Sequence, residues 1–286
     1  MSGLLPVSWP ALATGLASLN RSGARRYFRF DHATAPEPVA GEGWVSLGSL
    51  FTADQVAERA GADPVASLGI DELTGTMVFH ALAVPLVDLA VSLLTVAELV
   101  VDVAPAAVLV RFDGPSVIEV ALHSRTTAAT TTATATTATT GGDQVAQWLV
   151  AGLEPLVDAV VPHDPALRWG AVADLVVVIA NARARAHGLD AEAGWAASET
   201  VVTGLRNRRP HPQHRPGRVM VPAADPAGGM AVLARRSTCC EWYRAARHLG
   251  EDSVTEARCA DCPALDPAVN VVRLAALAKS GDLANP

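Results

Sequence analysis

Residues 84–101 read VPLVDLAVSLLTVAELVV. At 1.5 Å per residue this run approaches the thickness of a bilayer core, so it decides between a membrane span and the central helix of a globular fold. Pro85, Asp88 and Glu98 interrupt it. A charged side chain in hydrocarbon is costly, and the better reading is a buried core helix. Its apolar residues surround most of the helix, which predicts packing on several sides. The later run VADLVVVIA at 172–180 is too short to span a bilayer. The sequence therefore predicts a fold without a transmembrane segment.

Working outward, the core helix is expected from about Leu73 to Val103, with Pro85 as the place for a bend. Before it, Thr52 precedes ADQVAERAGA, where a capping hydroxyl, an early Asp54 and Gly61 predict a short helix. Short strands are expected at Tyr27–Phe30 and Trp44–Leu50. After it, residues 106–124 hold two β-rich runs around Asp113, Gly114 and Pro115, the pattern of a hairpin. Thr126 to Thr140 contains only threonine and alanine, and with Gly141 and Gly142 it reads as a flexible connector over 126–142. Helices are expected at Asp143–Val160, at Leu167–His187 and at 192–205. The second of these reads as amphipathic near its end through Arg183 and Arg185.

Composition narrows the function. The chain has 286 residues, half of them hydrophobic, with 18% charged and 5% aromatic, which excludes a disordered chain or a disulfide-rich mini-scaffold. A net charge of -7 argues against a nucleic-acid binder. The opening residues MSGLLPVSWP lack the charged and apolar regions of a secretory signal, so a cytoplasmic location is expected. One segment departs from the acidic average. RNRRPHPQHRPGR at 206–218 carries five arginines and no acid, so it is +5 and the remainder -12, together -7. Its arginines, Arg206, Arg208, Arg209, Arg215 and Arg218, read as a solvated loop or as a docking lip for an anionic ligand or an acidic electron donor.

The four cysteines are Cys239, Cys240, Cys259 and Cys262, with none before them. In a reducing compartment, cysteines this close are more often metal ligands or redox groups than disulfides. Cys259-x2-Cys262 is a common chelating unit. The adjacent pair is less ordinary, because neighbouring side chains of an extended chain point to opposite faces. A 2Fe-2S cluster divides four thiolates between two irons and tolerates such a pair. Zinc sites usually have two to four residues between ligands at both ends. On the residues alone, an iron-sulfur cluster, a zinc site and a thiol switch all stay open.

The string RRSTCCEWYR followed by CADCP resembles the C-terminal signature of the FhuF-type ferric-siderophore reductases. The matching positions around the first pair are Arg235, Arg236, Tyr243 and Arg244, and upstream Leu167, Arg168 and Trp169 resemble a tryptophan-bearing helix start of the same family. The family's spacer between the pairs is usually about ten residues, whereas eighteen lie here. A surface insertion costs little closure entropy, so ligation can survive it. The resemblance implies a 2Fe-2S cluster on the four cysteines, with Arg235, Arg236, Tyr243 and Arg244 around them.

It also implies a function: one-electron reduction of chelated Fe(III) and release of Fe(II) from a hydroxamate-type siderophore. No glycine-rich phosphate loop stands between a strand and a helix, so no flavin or nicotinamide site is expected. The electron then comes from a ferredoxin or an NAD(P)H-dependent reductase. The alternatives are a non-enzymatic zinc-stabilised binding module and an iron-sulfur sensor or siderophore-binding protein. The expected architecture is α+β, mainly helical with a small antiparallel sheet and a C-terminal iron-sulfur lobe. Its parts are a scaffold and substrate region at 1–230 and a cluster region at 231–286.

Overall fold

A computed structural model describes residues 6–7, 14, 31–33, 43–102, 104–113, 116–122, 132–135, 138–162, 164–209, 216–222, 230–239, 244 and 258–280. The fold is α+β and mainly helical, with small, mostly antiparallel sheets. Four helices form the body: α2 (Asp71–Ala97), α3 (Ala138–Ala159), α4 (Pro165–Ala186) and α5 (Ala191–Arg208). The short α1 (Ala53–Ala62) precedes them, and α6 (Pro267–Ser280) follows the cysteine region.

The run at 84–101 is the buried centre of the molecule, as its composition predicts. Leu82, Leu86, Leu89 and Leu93 of α2 are fully buried, as are Leu149, Leu153 and Leu156 of α3 and Val172, Val176 and Ile179 of α4. Each such side chain contributes about 1.5–3 kcal/mol relative to exposure. Pro85 sits inside α2 without ending it. The helix ends earlier than expected, at Ala97, because Glu98 turns into the left-handed region (φ 52°) and donates its N–H to Leu93 O. The residues assigned to its last turns, Leu99–Asp102, form β4 instead. Thr52 caps α1, accepting from the Gln55 N–H at 3.3 Å.

Asp88 and Arg183 join α2 to α4 in the core. The guanidinium holds both carboxylate oxygens at 2.9–3.1 Å, and Ser92 Oγ donates to Asp88 Oδ1 at 2.8 Å. The amphipathic reading of α4 thus fails at Arg183, which is 2% exposed and paired inward. Arg185 donates to Val232 O at 2.9 Å, fixing the C-terminal hairpin to the body.

The expected hairpin is β5 (Val108–Asp113) with β6 (Ser116–Leu122), in register Val108↔Leu122 to Asp113↔Ser116 with a shift after Arg111. β3 (Trp44–Ser46) pairs antiparallel with β5, and β2 (Asp31–Ala33) pairs parallel with β6. Leu47–Leu50, read as strand, is a 3-10 turn. The strand expected at Tyr27–Phe30 lies outside the described residues.

Within the threonine-alanine run the described residues correct the connector reading, while 126–131 and 136–137 lie outside the described residues. Thr132–Ala135 is β7, which pairs antiparallel with both β4 and β1 (Pro6–Val7), and α3 begins at Ala138. β-branched threonine suits a pleated strand once a partner edge exists, and the LVVD edge of β4 supplies it.

Toward the C-terminus, β8 (Gly217–Pro222) and β9 (Met230–Arg235) form a two-stranded ribbon. Val221, Ala231 and Leu233 of the ribbon pack with Leu274 and Ala278 of α6 in a small core of their own. The hairpin spans the 230/231 boundary, so the cysteine region shares a strand pair with the chain before it. Asp266 starts α6: its carboxylate accepts the Ala268 N–H at 2.8 Å and Pro267 takes the first helical position.

Candidate functional site

β9 delivers Arg235, Arg236, Ser237, Thr238 and Cys239 in sequence at the edge of α4. Their position is set by Asp174, a buried carboxylate of α4. It accepts the Ser237 N–H at 2.7 Å, Ser237 Oγ at 2.8 Å and the Thr238 N–H at 2.7 Å, and Thr238 Oγ1 also donates to it. Burial pushes the Asp174 carboxyl up, and these hydrogen bonds oppose the shift. The chain is therefore fixed at the two residues immediately before Cys239.

The second cysteine pair lies on a compact turn, with the Cys262 N–H donating to Cys259 O at 3.0 Å. The carbonyls of that turn are held one after another. Arg273 reaches Arg258 O at 2.7 Å, and Asn270 reaches Ala260 O at 2.7 Å and Cys262 O at 3.1 Å. The Arg236 N–H donates to Asp261 O at 3.1 Å. Arg235 takes Pro263 O at 3.1 Å and Leu265 O at 3.2 Å, and Arg258 takes Ala264 O at 2.8 Å. With Cys262 N–H on Cys259 O, all eight carbonyls from Arg258 to Leu265 accept a hydrogen bond. A loop so fully satisfied can hold fixed side-chain directions, which metal ligation requires.

Arg236 connects the two cysteine segments. Besides its backbone bond to Asp261, its Nε lies 2.8 Å from Asp261 Oδ2, with the two side chains 13% and 6% exposed. Cys239 thus follows by three residues a group that is anchored to the neighbour of Cys262. Cys239 and Cys259 are half-buried and Cys262 is buried. Among the described residues, no three His, Cys, Asp or Glu side chains form a group that could hold a metal ion. Cys240 and Tyr243 lie outside the described residues, as does Trp242. The three described thiols lie on two segments tied together at Arg236 and Asp261, and in this arrangement they are not gathered into a metal-holding group.

His80 of α2 is near enough to Arg236 to feel its charge. Burial, with the charges of Arg236 and Arg168, pushes its imidazole down to about 3. Arg168 itself, 1% exposed, donates to Thr76 Oγ1 at 2.8 Å and stands 5.6 Å over Phe79. Arg244 lies 3.6 Å from Glu72 at the start of α2. Asp174, His80 and Asn270 were not singled out in the sequence. No local pattern marks an isolated Asp inside an apolar helix as the anchor of a strand sixty residues later.

The basic segment is less free than its composition implies. Arg208 holds Asp143 through two bonds of 2.6 and 3.0 Å, which keeps the Asp143 carboxyl below and the guanidinium above their ordinary ranges. Arg209 pairs with Glu154 and Arg218 with Glu192. Three of the five arginines are thus balanced locally, and Arg215 lies outside the described residues. Arg206 instead lines a cleft of about 630 Å³ along α5, with Trp195, Glu199, Thr203 and Asn207. No protein-family model, curated protein or solved structure matches the chain, so the reading of this site rests on its own residues.

Proposed function

We propose that the chain is a cytoplasmic ferric-chelate reductase similar to the FhuF type, in which Cys239, Cys240, Cys259 and Cys262 would hold a 2Fe-2S cluster. The observation that carries this reading is the junction at Arg236 and Asp261, which ties the segment bearing the first cysteine pair to the turn bearing the second. When bound, such a cluster supplies one electron to Fe(III) held by hydroxamate oxygens, and the resulting Fe(II) binds those hard ligands far less tightly. A ferredoxin or an NAD(P)H-dependent reductase would furnish that electron.

The chain's own residues have separable roles in this reading. Asp174 fixes the backbone that leads into Cys239. Asn270 and Arg235 fix the turn of Cys259 and Cys262 from opposite ends. The guanidinium groups of Arg235 and Arg236 place positive charge beside that turn, which favours thiolate over thiol. The neutral His80 adds no further charge near Arg236.

The test is an anaerobic preparation examined by visible absorption and EPR in both redox states, followed by mixing the reduced protein with a ferric hydroxamate and an Fe(II) indicator. A 2Fe-2S signal with rapid Fe(II) release is expected. A colourless protein with one zinc per chain, or a cluster that survives in the Cys239→Ser, Cys240→Ser double variant, would overturn the assignment. An intact cluster without Fe(II) release would leave a sensor or binding protein.

A further inference from the structure

The turn that carries the second cysteine pair has the backbone of a disulfide site. The Cys262 N–H donates to Cys259 O at 3.0 Å, so Ala260 and Asp261 are the central residues of a turn with a cysteine at each end. A turn closed in this way keeps its end Cα atoms within about 7 Å. A disulfide spans about 4.4–6.8 Å between Cα atoms, so the backbone already stands near bonding span. That backbone is held by groups other than the sulfurs. Asn270 holds Ala260 O and Cys262 O, Arg273 holds Arg258 O and Arg235 holds Pro263 O. Asp261, between the two cysteines, is fixed twice by Arg236, through its backbone carbonyl and through its carboxylate. Joining the sulfurs breaks none of these bonds.

The two thiols differ in access. Cys259 is half-buried, whereas Cys262 is 3% exposed. This asymmetry suits stepwise exchange, in which an accessible thiol meets the oxidant and a sheltered neighbour resolves the adduct. Cys239 is half-buried as well, but it leaves a segment pinned separately to Asp174. A link from it to the turn must hold two anchored segments in step, whereas a link inside the turn closes a much shorter loop. We propose that Cys259 and Cys262 of the metal-free chain form a reversible disulfide by exchange with a low-molecular-weight disulfide of the oxidised-glutathione class. The Cys259 sulfur attacks one sulfur of the reagent, whose S–S bond breaks and whose other half leaves. The Cys262 sulfur then attacks Cys259 and expels the half that remained. The two protein thiols together lose two electrons and two protons, and the reagent takes up both to become two thiols. The disulfide stands on the geometry of the turn alone. Its consequence rests on the cluster reading: it withdraws two of the four ligands and makes loading depend on prior reduction.

The test equilibrates the metal-free full-length chain with mixtures of oxidised and reduced glutathione, blocks the remaining thiols with N-ethylmaleimide and maps the cysteines by peptide mass spectrometry. A link between Cys259 and Cys262 is expected at a less oxidising ratio than any link to Cys239 or Cys240, and dithiothreitol should reverse it fully. In Cys262→Ser a glutathione adduct should accumulate on Cys259, whereas in Cys259→Ser the adduct on Cys262 should form at least fivefold more slowly. Predominance of a link between the two segments, or equal adduct rates in the two variants, overturns the proposal. Anaerobic reconstitution reads the consequence: the disulfide form should take up severalfold less iron than the same chain after reduction, and equal uptake overturns that dependence. A reduced chain that forms a 2Fe-2S cluster, with no link between Cys259 and Cys262 at any ratio, overturns the disulfide while the cluster reading stands. A reversible link in a chain that binds no iron even when reduced supports the disulfide while that reading falls.

Discussion

At Asp174 one carboxylate takes two backbone N–H groups and two hydroxyls from consecutive residues. Removing it strands one buried and one part-buried backbone donor, each costing up to about 1–3 kcal/mol. Asp174→Ala is therefore expected to lose about 2–5 kcal/mol in urea unfolding, and Asp174→Asn to lose a comparable amount, because its NH2 turns toward groups that are themselves donors. On the proposed cluster reading, both variants should also retain less iron per chain after anaerobic reconstitution. His80 gives a prediction in pH. Its folded value of about 3 lies below the ordinary 6.5, so below pH 6.5 the unfolded chain takes up a proton that the folded chain refuses. The associated stability is complete above pH 6.5 and is lost as pH falls toward 3, with a slope of at most about 1.4 kcal/mol per pH unit. His80→Gln should flatten that slope between pH 7 and pH 5, measured as the shift in urea midpoint. An unchanged slope would place the titrating group elsewhere.

The helices approach closely where glycine permits it. A Cβ on Gly204 of α5 would stand 2.7 Å from the Ala146 Cβ of α3, and one on Gly194 would stand 2.8 Å from both Ala180 O and the Ala184 Cβ of α4. Gly204→Val is expected to cost about 1–3 kcal/mol by overpacking, visible as a lower thermal midpoint, whereas Gly61→Ala in α1, with open space around it, should be neutral or stabilising. Element by element, legibility follows locality. Thr52 before α1, the apolar circumference of α2 and the hairpin of β5 and β6 all carry their signals within a few residues, and the structure shows each. α6 carries such a signal as well, Asp266 before Pro267. β7 had none. Whether a threonine-alanine run becomes a strand depends on the edge of β4, thirty residues away, and no local propensity contains that information. The candidate site divides the same way. Its cysteines and arginines are visible as spacing, while Asp174 and His80 enter only through packing.

For the molecule as a whole, two helices are long and apolar enough to cross a bilayer by length and composition, α2 and α4. Within their most apolar windows 78% and 72% of residues are buried inside the protein. Their apolar surfaces are largely satisfied by each other and by α3 and α5, which leaves little for lipid to cover. The Asp88–Arg183 pair strengthens the argument. The two charges meet at the contact of α2 and α4, 0% and 2% exposed, and each helix would carry an uncompensated charge if it faced hydrocarbon alone. The full-length chain is therefore expected in the supernatant after high-speed centrifugation of a detergent-free lysate, and recovery only from detergent-extracted membranes would refute this packing. Asp88→Leu supplies the complementary measurement. It removes the carboxylate that the buried Arg183 holds and should destabilise by about 3–5 kcal/mol. The double change Asp88→Leu, Arg183→Met should recover much of that loss, because an apolar pair of similar volume carries no desolvation cost in a core formed by Leu86, Leu89 and Ile179.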